Sequence, residues 1–234
     1  RCAVALTVAD NGYMGMDSIS FLDFENHWQQ TLSPMCAFPM GRRKMPESSG
    51  TGDVAVSGKG YALAFRHTGE GRLLIFKMEN FAGGRPIEGR ILLTDEPPES
   101  MVICTPFRKR GHFYFNQKIN CMRASGWVSV RGRRFEFEPE TACAARDWGR
   151  GVWTYHNTWY WGSAAGAGDG VPFGWNIGYG FGDNSVATEN MLFYEGKAHK
   201  LSRVTFNIPR RGGEFDYMSP WTFSSDDSRF EMDF

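Results

Sequence analysis

VAVSGKGYALAFRHTGEGRLLIFKM, residues 54–78, sets large apolar side chains at every second position: Val54 and Val56, then Tyr61, Leu63 and Phe65, then Leu74, Phe76 and Met78. A period of two puts those side chains on one face of an extended chain, the signature of strands with one buried face. The pattern is broken twice by glycine-rich runs, SGKG at 57–60 and TGEG at 68–71, which supply turns. The stretch therefore predicts three consecutive strands. Outward from it the same rhythm recurs. CAVALTVA, the turn DNG and ISFLDF read as a hairpin near the start. Val102 to Pro106, HFYFNQKI (112–119) and GWVSVRGRRFEFEP (126–139) continue the meander, and VPFGWNIGYGFGD, NMLFYEGKAHKL, RVTFNIP and RFEMDF carry it to the end. No segment of a dozen residues has helical spacing. The chain is predicted to be all-β, with roughly fourteen short strands in a sandwich or up-and-down barrel. Irregular interludes are expected at 31–50 and 80–100, and PETACAARD (139–147) is the expected boundary between an N-terminal β unit, 1–140, and a C-terminal one, 141–234.

With 234 residues, 41% hydrophobic and 15% aromatic, the chain can bury a substantial core. Its 26 basic residues balance 26 acidic ones, which argues against a dedicated nucleic-acid or anionic-membrane binder. The short basic clusters GRRK (41–44), RKR (108–110) and RGRR (131–134) stand in turn-like settings and read first as solvated loops. Five widely spaced cysteines form neither a CxxC pair nor a Cys/His cluster, so no metal, redox motif or other cofactor is indicated. That cysteine usage fits a reducing compartment, and a cytoplasmic location is expected. No apolar run approaches a membrane span. The chain opens at Arg1 and ends within an alternating pattern, so it reads as a piece of a longer protein.

Four of the eight tryptophans fall in DWGRGVWTYHNTWYWGS, 147–163, beside Asp147 and Arg150. If 153–161 is a strand, Trp153, Trp159 and Trp161 share a face with Tyr155 and Asn157. A buried indole N–H needs a partner, so a polar or liganded cavity is a plausible setting. In FGWNIGYGF, 173–181, Phe173, Trp175, Ile177, Tyr179 and Phe181 make a wall of rings and apolar groups, whereas Gly174, Asn176, Gly178 and Gly180 leave the other face almost bare. Glycine weakens a strand, so the bare face needs a cause. Either another segment crosses close by or a ligand lies there with Asn176 as its polar contact.

PESMVICTPF (98–107), NQKIN (116–120), DWGRGVW (147–153), WYWGSAAG (159–166), FGWNIGYGFGD (173–183) and ENMLFYEGKAHKL (189–201) together resemble the DUF2804 family, and MPESSGTGDVAVSGKG (45–60) extends the likeness over essentially the whole chain. That family has no established activity and is usually longer at both ends. RDWGRG (146–151) followed by WYW (159–161) is more faintly similar to the lipocalin-like carotenoid hydratases and AttH-type proteins. These have two β-barrel-like halves, and the hydratases among them protonate an isolated alkene with a carboxylic acid in an apolar tunnel. The resemblances imply two lipocalin-like β-barrel or sandwich units, with Asp147 near such a tunnel.

A carboxylate among rings is desolvated, which raises its pKa toward what a general acid needs, while a neighbouring Arg146 or Arg150 would hold it ionised as a structural pair. Glu189, after the loop GDNSVATEN, is the second candidate carboxylate, and two carboxylates would also suit glycosidic chemistry; Glu47 has less to recommend it. His156, among aromatics, reads as a rim or core histidine. GxSxG is absent, and GAGDG (166–170) lacks the lysine and helix of a phosphate loop. The expected pocket is walled by Trp153, Trp159, Trp161 and Trp175, with Arg150 and Asn176 as polar ligand contacts and Asp147 and Glu189 as acid and base. It would take a largely apolar small molecule, lipid or isoprenoid-like, for hydration, isomerisation or cyclisation. A non-catalytic carrier and a carbohydrate-binding or carbohydrate-cleaving protein are the alternatives.

Overall fold

The computed structural model describes residues 1–233 and contains no helix among them. The strands are more numerous than the period-two runs predicted. In chain order they are β1 Cys2–Asp10, β2 Met14–Asp23, β3 Trp28–Leu32, β4 Met35–Ala37, β5 Val54–Gly58, β6 Tyr61–His67, β7 Arg72–Ala82, β8 Arg85–Thr94, β9 Met101–Pro106, β10 Phe113–Val130, β11 Arg133–Phe137, β12 Cys143–Val152, β13 Tyr160–Gly168, β14 Val171–Tyr179, β15 Met191–Tyr194, β16 Lys197–Lys200, β17 Val204–Asn207, β18 Arg210–Arg211, β19 Glu214–Phe215, β20 Thr222–Ser225 and β21 Glu231–Asp233. All registered pairings are antiparallel, and no strand order closes into a barrel among the described residues.

Two compact units emerge, one from Arg1–Asp95 with Arg123–Ala142, the other from Glu96–Met122 with Cys143–Phe234. In the first, β5, β6, β7 and β8 form the meander foreseen from 54–78 and continue through residues 123–130 of β10 to β11. Leu63, Phe76, Met78, Ile87, Ile91 and Val128 are among its buried apolar residues, at alternate positions of their strands. Each such side chain contributes about 1.5–3 kcal/mol by leaving water. Strand β8 occupies much of the interlude expected at 80–100. The cause is a two-residue turn: Gly83 and Gly84 both take positive φ, 58° and 77°, so Ala82 and Arg85 pair directly across it. In the same unit β1, β2 and β3 form a second sheet with β4 on β2.

In the second unit β13–β14–β15–β16 make a four-stranded sheet, and β9 and β12 each pair with β10. Ile177, Leu201, Val204, Phe206, Phe223 and Phe230 form its principal apolar cluster, against which Trp175 and Tyr179 pack. Residues 153–159 are a loop between β12 and β13 and not the strand considered for 153–161, so the shared face expected for those tryptophans does not form.

Candidate functional site

The second unit contains a polar strand face turned inward. In β10 the alternation places Tyr114, Asn116, Lys118 and Asn120 on one side, and the last three are buried. A buried polar row is stable only if its groups find partners. Asn120 Nδ2 lies 3.2, 3.1 and 3.0 Å from Ser163 Oγ and the carbonyls of Ala164 and Trp175. Lys118 Nζ lies 2.5 Å from Asp147 Oδ2 on β12 and 4.9 Å from the centre of the Trp161 ring. The cation on Asp147 therefore comes from another strand, whereas the sequence drew attention to the flanking arginines. Arg146 pairs with Glu96 at 3.4 Å, and Arg150 is exposed.

The glycine face of β14 supplies room for this row. A methyl group on Gly174 would stand 2.6 Å from the Ala164 carbonyl, 2.7 Å from Cys121 Sγ and 3.0 Å from Asn120 Oδ1; one on Gly178 would meet Glu189 Oε1 at 2.8 Å. Other parts of the chain thus approach the bare face closely. Between the two glycines, buried Asn176 joins three groups. Its Oδ1 accepts from Trp161 Nε1 at 2.9 Å, and its Nδ2 donates to the Glu189 carbonyl at 2.9 Å and to Glu189 Oε2 at 3.2 Å. Asn190 holds the next turn by accepting from Gly178 N at 2.7 Å.

Glu189 is buried, and desolvation pushes its carboxyl above the ordinary range. Lys118 and the Asn176 hydrogen bond pull it back, and the charge of Asp147 raises it again. Tyr114 is also pushed up, first by burial and then by the charges of Asp147 and Glu189. Asp147, Glu189, Lys118 and Tyr114 therefore form one electrostatically linked cluster. Of the two carboxylates, Asp147 is half-exposed, with 51% of its side chain open, and Glu189 is covered.

The indoles divide into two groups. Trp153 and Trp159 meet Phe181 edge-on at 5.4 and 5.0 Å between ring centres, and Tyr114 joins the same cluster at 4.6 Å from Phe181, so these rings pack on one another. Trp153, Trp159 and Trp161 each keep about half their surface open. Trp175 stands instead with Phe230 and the apolar cluster around Ile177. His156 lies in the exposed loop against Tyr155. Glu47 belongs to the first unit. Sequence reasoning missed Tyr114, Asn116, Lys118 and Asn120. The alternation within HFYFNQKIN places them on one face, but it does not mark that face as the covered one.

All five cysteines are free thiols. Among the described residues no group of three or more His, Cys, Asp or Glu side chains is placed to hold a metal, and no helix is long and apolar enough to cross a membrane. The chain belongs to the family described as "Domain of unknown function (DUF2804)", whose model matches residues 1–234. No curated protein matches it in sequence. A similar solved structure is that of kievitone hydratase from Nectria haematococca. It is 13% identical, with a TM-score of 0.47 over 96% of this chain and 68% of that one, a distance at which the likeness says nothing about chemistry.

Proposed function

We propose that the second unit binds a largely apolar small molecule, lipid or isoprenoid-like, against the open surfaces of Trp153, Trp159 and Trp161, and acts on it by acid/base chemistry. The observation that carries this reading is the buried Lys118 ammonium, 2.5 Å from half-exposed Asp147 and stacked over Trp161. A half-buried ion pair beside exposed aromatic surface, with the raised carboxyl of Glu189 and the raised hydroxyl of Tyr114 in the same field, is an arrangement that proton-transfer sites use. Asp147, paired with the Lys118 ammonium, is the carboxylate that can take a proton from a bound molecule, because it reaches solvent. Lys118 holds it in position, and Glu189, whose carboxyl burial pushes upward, is the internal proton store. Asn176 links that store to the Trp161 indole. Hydration or isomerisation of an alkene is a reaction class in which protons move between such a pair of carboxyl groups and the bound molecule.

The test starts with native mass spectrometry of the purified protein and tryptophan quenching by isoprenoid alcohols, fatty acids and oligosaccharides. Quenching by the apolar ligands, with turnover lost and affinity kept in Asp147→Asn, is the expected result. Quenching by the sugars alone would overturn the reading. A change in affinity with no turnover in the parent would make the protein a carrier.

A further inference from the structure

In the first unit, the segment after β4 presents apolar side chains to solvent on unfavourable backbone. Phe38 and Met40 are 62% and 65% exposed, and both take left-handed φ of 49°. Bulky residues rarely adopt that region. Their amides are tied to the β1–β2 turn, Phe38 N to the Tyr13 carbonyl at 2.8 Å and Met40 N to the Gly12 carbonyl at 2.9 Å, so exposed Tyr13 stands beside them. The segment is also anchored from behind. Arg43 grips buried Asp17 with both guanidinium nitrogens, and Tyr61 donates to the same carboxylate at 2.8 Å. Arg42 turns back to donate to the Phe38 carbonyl, and Lys44 is exposed two residues further on. The nearby carboxylate of Asp10 is engaged by the amides of Gly12 and Gly41.

We infer that this anchored loop is a membrane-surface contact, with Tyr13, Phe38 and Met40 entering the boundary between headgroups and acyl chains while Arg42 and Lys44 meet anionic phosphates. Apolar tips flanked by cations are the pattern that binds an anionic bilayer without spanning it. The protein's zero net charge averages over a small local excess. Arg43 is neutralised by Asp17, no salt bridge joins Arg42 or Lys44 to a carboxylate among the described residues, and the charge of Asp10 offsets one of these two cations. The inference is independent of the chemistry proposed for the second unit.

Co-sedimentation of the whole chain with phosphatidylcholine vesicles, with and without phosphatidylserine, tests it. Binding is expected to be stronger with phosphatidylserine and to weaken as salt is raised. Phe38→Asn and Met40→Asn remove the apolar tips with a residue that tolerates left-handed φ, so the fold is kept, and each should lower partitioning on the order of tenfold. Arg42→Gln with Lys44→Gln should cost about fivefold per charge and abolish the preference for phosphatidylserine. Failure of the parent to pellet with either vesicle overturns the inference, as does equal binding by the asparagine variants. A lipid-free dimer that disappears in Phe38→Asn would overturn it too, by assigning the patch to a second copy of the chain.

Discussion

Removing either partner of the Lys118–Asp147 pair should have unequal consequences, because the two side chains differ in burial: 9% of Lys118 is exposed against 51% of Asp147. In Asp147→Asn the buried ammonium loses its ionised partner. Breaking a fully buried pair in this way costs about 3–5 kcal/mol. Here the lost charge was half-solvated and Glu189 can take up part of its role, so about 2–3 kcal/mol is expected after screening. In Lys118→Met the buried charge itself is removed, its aliphatic volume is kept, and Asp147 turns to water. What is lost is a screened attraction and a cation–π contact of about 0.5–1 kcal/mol, offset by the relieved desolvation, so stability should change by no more than about 1 kcal/mol. Six of the eight tryptophans, Trp148, Trp153, Trp159, Trp161, Trp175 and Trp221, lie in the second unit, so tryptophan emission during urea unfolding reports chiefly on that unit. The expected melting shift for Asp147→Asn is about 5–10 °C downward. The double variant should resemble Lys118→Met alone, with a coupling of about 2 kcal/mol. A Lys118→Met penalty larger than that of Asp147→Asn, or a double variant equal to the sum of the singles, would refute the account of which charge is buried.

Glu189→Gln should flatten the pH dependence of stability. The carboxyl's pKa is raised in the folded state, so the folded protein holds a proton there that the unfolded chain releases; the stability contribution is full below the unfolded value near 4.5 and is lost as pH rises through the folded one. Urea midpoints of the parent should therefore fall relative to those of Glu189→Gln from acidic toward neutral pH, and parallel curves would contradict the burial of that group. Gly174→Ala should cost about 1–3 kcal/mol, because its methyl would press on the Ala164 carbonyl, Cys121 and Asn120; a neutral result in thermal unfolding would mean that the close approach is not there.

Much of the fold was legible because strands with one apolar face and glycine turns carry their geometry in local order, as 54–78 does. Strand β8 was hidden by its own punctuation: Gly83-Gly84, Pro86 and the prolines at 97 and 98 look like a loop. The residues Ile87, Ile91 and Leu93, which alternate inward, become visible only once the glycine pair is recognised as a tight turn. The tryptophan block misled in the opposite way. Its aromatic density suits a strand, yet residues 153–159 form a loop whose rings cluster around Phe181 and Tyr114, partners supplied by tertiary contacts that local spacing does not encode.

The polar cluster exposes a more general limit. Asp147, Glu189, Asn176 and Trp161 could be singled out by type and neighbourhood, but Lys118 could not. The default for a lysine on an alternating strand is to face water, and nothing within HFYFNQKIN says that the polar side is the covered one. That information lies elsewhere in the chain, in the glycines of FGWNIGYGF. A strand face stripped of side chains at Gly174 and Gly178 leaves space that something must fill. In this unit it is filled by Asn120 and Cys121 near one glycine and by Glu189 near the other, with Asn176 between them as the polar connector. An unexplained run of small residues on one strand is therefore a reason to search the other strands for a polar row needing cover. Had the two halves been matched, NQKIN to GWNIG, the buried face of β10 would have followed from the sequence, and Lys118 with it.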